Sequence, residues 1–115
     1  MLNTFYVMYK NEIVTKVSFI KNGSLINIEK FTEHPAIQPF SGTDVSLERV
    51  MKFLKRRCFS QARPDAYKIL DALGLKEYDP VEIIKITHGH MWEDCTWIRF
   101  EGETLTWEDI KNGTC

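Results

Sequence analysis

The sequence predicts an α+β domain, and three observations predict it. Aromatic and β-branched alternation fills the first thirty residues, helical periodicity with capping residues fills 46–89, and one alternating stretch returns at 96–101. The predicted order is an N-terminal antiparallel β-meander, three central helices, a returning C-terminal strand and a short terminal helix. A chain of 115 residues holds one core, so 1–115 is read as a single domain.

Phe5 to Tyr9 is an aromatic and β-branched run, closed by a short turn at Lys10-Asn11. Glu12 to Ile20 alternates, with Ile13, Thr15, Val17 and Phe19 on one face and Val14, Lys16 and Ser18 on the other. Asn22-Gly23 is a hairpin signal, because a type I′ turn needs two residues that accept positive φ. Ser24 to Lys30 completes the meander. Phe31 to Gly42 carries Pro35 and Pro39 and reads as a loop or a short edge segment.

The first helix has Ser46 as N-cap and a stripe at Leu47, Val50, Met51 and Leu54, widened by Phe53 and Cys58. The second starts near Arg63-Pro64, buries Ala66, Ile69, Leu70 and Leu73, and meets Gly74 where a left-handed cap is expected. Asp79-Pro80 opens the third as N-cap and N1, with Glu82 placed for a capping box. Val81, Ile83, Ile84 and Ile86 are its core candidates, and Gly89 ends it. In the returning strand Trp97, Arg99 and Glu101 alternate with Thr96, Ile98 and Phe100. Thr106 then caps a terminal helix from Trp107 to Lys111.

Composition removes several function classes. With 43% apolar and 27% charged residues the chain is globular rather than disordered, and a net charge of -1 gives no reason to expect a general nucleic-acid or anionic-membrane binder. Phe5 to Met8 is too short for a signal-peptide core, and no run approaches the roughly 18 apolar residues of a membrane span. Cys58, Cys95 and Cys115 are an odd number without C-x-x-C spacing, which suits reduced thiols and a cytoplasmic setting. No phosphate-cradling glycine loop, Walker lysine or His-Arg-Asp segment is present, which excludes a self-sufficient kinase or NTPase.

The near-neutral total hides a polarity. Between Ser46 and Leu70 lie Arg49, Lys52, Lys55, Arg56, Arg57, Arg63 and Lys68, opposed only by Glu48 and Asp65. Residues 71–115 carry four basic and ten acidic side chains. Cations at a helix C-terminus are favoured by the dipole, which accounts for the cluster structurally. The alternative is a surface for an acidic protein, a phosphate group or nucleic acid.

The densest run of reactive side chains is Thr87 to Cys95. His88, His90, Asp94 and Cys95, with His34, are potential transition-metal ligands, but their spacing matches no standard zinc pattern. A Cys-His nucleophile pair lacks an identifiable third residue, so neither catalytic residues nor a cofactor are expected. Trp92, beside two acids in a loop, has the character of an interface anchor.

Four stretches carry a resemblance: Tyr9-Lys10-Asn11-Glu12; Phe53-Leu54 with Arg56-Arg57 and Arg63; Ile69-Leu70-Asp71-Ala72-Leu73-Gly74; and Asp79-Pro80-Val81-Glu82-Ile83-Ile84. In spacing and apolar pattern, over roughly residues 5 to 100, the chain resembles the N-terminal subdomain of HipA-type serine/threonine kinases and the stand-alone HipS-like proteins. Two segments depart from that family. Arg57-Cys58-Phe59-Ser60 stands where it has a Leu-Pro-Glu-Gly-like turn, and His88 to Trp92 replaces a Gly-Ala-Leu run. The resemblance implies a non-catalytic module of a bacterial toxin-antitoxin system or mobile element, docking on a separately encoded kinase core. Its partner-binding residues would be Arg56, Arg57, Arg63 and Trp92. The alternative is a small phage or mobile-element anti-defence protein that binds a nuclease or nucleic acid through the basic helix.

Overall fold

The computed structural model describes residues 4–20, 25–42, 45–91 and 94–110. The fold is α+β. Its elements are β1 (Thr4–Tyr9), β2 (Glu12–Ile20), β3 (Leu25–Lys30), α1 (Leu47–Arg56), α2 (Ala66–Ala72), α3 (Pro80–Thr87), β4 (Thr96–Phe100) and α4 (Trp107–Ile110). The antiparallel sheet runs β3-β2-β1-β4, so the first strand lies inside it and the last joins it at an edge. The Asn22-Gly23 turn falls outside the described residues.

One face of the sheet carries the main core. Phe5 and Val7 of β1, Val17 of β2 and Ile98 of β4 pack with Phe40, with Val50, Phe53 and Leu54 of α1, and with Ile83 and Ile84 of α3. A smaller cluster on the other face joins Met8, Cys95 and Trp97 to Trp107 of α4. Strict alternation fails in β2. Val7 pairs with Thr15 but Met8 pairs with Ile13, so Val14 is an extra residue in the ladder. The bulge puts Val14 into the main core with Val17, while Ile13 packs against the second cluster.

The bulge also leaves Thr15 fully buried, and Gln38 satisfies it. Thr15 Oγ1 donates to Gln38 Oε1 at 2.7 Å, while Gln38 Nε2 donates to the Thr32 carbonyl at 2.7 Å. The Phe40 amide donates to the same Oε1 at 3.1 Å. This polar plug explains why Phe31–Phe40 forms no strand: its backbone wraps around Gln38 and delivers Phe40 to the core. A buried amide with its partners in place is tolerated, whereas an orphaned one is costly.

Three local helix signals hold, whereas α2 begins at Ala66, after Pro64, which was expected in its first turn. Ser46 accepts the Arg49 amide at 3.2 Å, Asp79 accepts the Val81 amide at 3.1 Å, and Gly74 has φ +77°. The faces are less well placed. Met51 and Ile86, expected inside, are 37% and 46% exposed, and the buried stripe of α1 is centred on Val50, Phe53 and Leu54. Glu82 sits against Lys85 at 3.4 Å instead of completing a capping box. α3 ends on His88, in the left-handed conformation at φ +58°, followed by Gly89 at φ +61°.

Candidate functional site

The cations expected to act together do not share one environment. Arg57, the C-cap of α1, turns inward and is only 11% exposed at its side chain. Its Nε donates to the Gly89 carbonyl at 2.9 Å, and Nη2 donates to the Thr96 carbonyl at 2.8 Å. The guanidinium also forks onto both carboxylate oxygens of Asp94, at 2.8 and 2.9 Å. Burial pushes the Asp94 carboxyl up, but the Arg57 hydrogen bonds and charge, the Thr96 amide and His90 outweigh it and hold its pKa below the ordinary value. Arg57 is thus spent on joining α1 to the α3–β4 connection, and the expectation that it faces a partner is revised. A Cβ on Gly89 would stand 3.2 Å from both Arg57 Cβ and Ile98 Cδ1, so this close approach needs glycine as much as the positive φ does.

Arg63 is exposed and forks onto Asp65 at 2.9 and 3.1 Å, within its own turn before α2. Arg56 differs from both. It is exposed, and neither it nor Lys55 makes an ion pair among the described residues. Trp92 lies outside the described residues.

Lys52, Lys55 and Arg56 occupy i, i+3 and i+4 of α1 and therefore one side of it. They line a groove of about 760 Å³, within the usual range of ligand pockets. The remaining wall comes from Cys58, Ser60, Gln61 and Ala62 of the α1–α2 loop and from Tyr78 before α3. None of the lining residues is acidic. Glu48 reaches Lys52 from outside the groove at 3.2 Å, in a pair whose side chains are both more than two-thirds exposed. Such pairs contribute little and exchange readily with other partners.

The groove has a fixed back. The Tyr78 hydroxyl donates to the Phe59 carbonyl at 2.6 Å, and its ring meets that of Phe59 edge-on at 5.4 Å between centroids. The Cys58 thiol sits 3.4 Å from the Leu54 carbonyl and 3.6 Å from that of Pro80. Burial, followed by the negative charge of Asp79, pushes its pKa up to about 11. The thiol is therefore neutral at pH 7 and a poor nucleophile. Native protein treated with iodoacetamide at pH 7.5 is expected to keep Cys58 unmodified for hours, while protein in denaturant is alkylated there within minutes. Equal rates in a peptide-resolved mass measurement would show that Cys58 is open and reactive.

The histidine run is pulled apart. His88 Nε2 lies 2.9 Å from Glu103 Oε2, tying the end of α3 to the loop after β4. The His90 ring packs edge-on against Trp107 at 5.2 Å, and neither of its nitrogens has a hydrogen-bond partner among the described residues. Cys95 is buried and disulfide-bonded. The expectation of reduced thiols fails there, because an odd cysteine count still permits a pair; Cys58 is free. Among the described residues no group of three His, Cys, Asp or Glu side chains is placed to hold a metal ion. No helix among them is long and apolar enough to cross a membrane.

Comparison with protein-family models, with curated proteins and with solved structures found no match to this chain. Sequence reasoning had located Arg56 but missed the groove it lines, whose walls come from three separate segments. One local signal bears on Tyr78: an apolar residue just before an Asp-Pro helix start packs back on the fold as a hydrophobic staple.

Proposed function

We propose that the chain is a non-catalytic protein-binding module that docks on a separately encoded HipA-like serine/threonine kinase core and regulates it as an antitoxin-type partner. The observation that carries this reading is the groove at the end of α1. Among the described residues its Lys55 and Arg56 hold no carboxylate, whereas the neighbouring Arg57 and Arg63 each hold one of their own chain. Arg is enriched among the residues that dominate interfaces, and unspent cations beside an apolar wall suit an acidic docking segment. The kinase resemblance supplies the class of partner, and the cysteine spacing supports a cytoplasmic setting for the module. The disulfide at Cys95 would be reduced there, and the proposed surface makes no use of it.

The test is co-purification of the chain with a co-expressed kinase core from the same host, comparing wild type with Lys55→Glu/Arg56→Glu. Wild type is expected to hold a complex at micromolar concentration, and the double variant to weaken it by about 30-fold or more, the scale of an interface hot spot. The variant should stay folded with a modestly lower denaturant midpoint, equivalent to about 1–2 kcal/mol, because the reversed charges oppose the dipole at the end of α1 while both side chains are exposed. No complex from wild type would end the kinase reading. A complex indifferent to the substitutions would move the interface away from α1. Recovery of salt-sensitive nucleic acid instead would favour the anti-defence alternative.

A further inference from the structure

We propose that the groove at the C-terminal end of α1 is a phosphoryl-binding site, occupied in the complex by a phosphorylated side chain of the docking partner. This rests on the docking reading above and names the chemistry it uses.

The argument starts from charge in excess of structural need. A helix C-terminus carries about half a unit of negative charge, which one cation neutralises. Lys52, Lys55 and Arg56 bring three within little more than one helical turn, and among the described residues only Lys52 of the three is in an ion pair. All three line one groove. The match is a single compact anion of high charge.

The donors favour a phosphoryl group over a carboxylate. A phosphate monoester presents three terminal oxygens and nearly two negative charges. Arg56 offers a planar fork, Lys55 and Lys52 offer point charges, and the Ser60 hydroxyl adds a directional donor. Ser60 Oγ already accepts the Ala62 amide at 3.2 Å, and its own hydrogen is committed to no acceptor among the described residues. A lone carboxylate has two oxygens and one charge, and would leave cations uncompensated. The wall behind is made of uncharged side chains, and the Tyr78 hydroxyl already donates to the Phe59 carbonyl. An apolar wall lowers the local dielectric and strengthens each charge-assisted bond.

The test uses 15N-labelled protein titrated with four probes: N-acetyl-phosphoserine-N-methylamide, the matching blocked glutamate, inorganic phosphate and AMP. The blocked phosphoserine is expected to move the amide signals of residues 55–62 saturably, with millimolar affinity, and the glutamate to bind about tenfold more weakly. Lys55→Ala/Arg56→Ala should abolish the response without changing the rest of the spectrum. Equal response to phosphoserine and glutamate, or no saturation by about 20 mM (far above the millimolar range expected of one charge-assisted site), would overturn the inference. AMP binding more tightly than phosphoserine would assign the site to a free nucleotide and overturn the protein-borne source. Phosphatase treatment of the kinase core before co-purification separates the two readings. A complex that survives it leaves docking intact and removes the phosphoryl link. A phosphoserine response without any complex leaves the phosphoryl site and removes the kinase partner.

Discussion

Arg57→Ala is expected to lower folding stability by about 2–4 kcal/mol, while Arg56→Ala, one residue earlier, changes it by less than about 0.5 kcal/mol. The two side chains share a helix end and a chemical type, so composition and propensity cancel in the comparison. Arg57, unlike Arg56, donates to the Gly89 and Thr96 carbonyls and to both oxygens of Asp94, one of which also accepts the Thr96 amide, from a position 11% exposed. Its removal leaves the Gly89 and Thr96 carbonyls and one Asp94 oxygen short of this donor, and the two carbonyls carry most of the cost because Asp94 is 43% exposed. Arg57→Lys should recover only a minor part, because an ammonium cannot fork across a carboxylate and two carbonyls together.

The ionic part of this effect has a defined pH window. Asp94 has a depressed pKa in the folded state, so its contribution is complete above the unfolded carboxylate value near 4 and is lost as pH falls through the lower folded value. The gap between wild type and Arg57→Ala should therefore narrow below about pH 4, and the carbonyl part should persist. Asp94 is 43% exposed at its side chain, so the narrowing is the smaller share. Denaturant titrations at pH 7 and pH 3 measure both. A variant within about 0.5 kcal/mol of wild type at pH 7 would mean that water replaces Arg57 at little cost.

Trp97→Ala should cost about 3–5 kcal/mol, the range for deleting a buried large aromatic. Trp97 is fully buried and anchors the cluster that holds α4 to the outer face of the sheet. Its indole Nε1 also donates to the Lys10 carbonyl at 2.7 Å. Lys10 sits at φ +53°, a conformation that non-glycine residues adopt at some cost, in the turn between β1 and β2. Trp97→Phe separates the two roles, since it keeps most of the apolar volume and removes the donor; about 1–3 kcal/mol is expected for the carbonyl left unpaired. A Phe variant as stable as wild type would show that the turn holds itself and that only packing matters.

What was legible in the sequence was local. Ser46, Gly74 and Asp79-Pro80 mark helix ends because capping chemistry lies within a few residues of the cap. The bulge at Val14 was not legible. It arises from two residues of β2 facing one step of β1, and the alternation of β2 by itself passes through it unbroken. The split between Arg56 and Arg57 was hidden for the same reason. The partner that decides it, Asp94, lies 37 residues away and becomes a neighbour only after α3 has turned back at His88 and Gly89. The candidate groove likewise needs Tyr78 brought to the end of α1, a contact between segments rather than a pattern within one.

The position of β1 governs the order in which the molecule can be assembled. It is made before the other three strands of the sheet, yet it sits between β2 and β4 and remains half-paired until residues 96–100 exist. The turn after it waits as long. Lys10 is held by the Cys95 carbonyl and by Trp97, and the Asn11 side chain accepts the Trp107 amide across 96 residues. Contacts this distant along the chain are slow to form because the loop must close before they contribute. The N-terminal hairpin is thus a waiting platform during synthesis. One long edge of it, the side of β1 that β4 will occupy, stays open to wrong partners until β4 has been made.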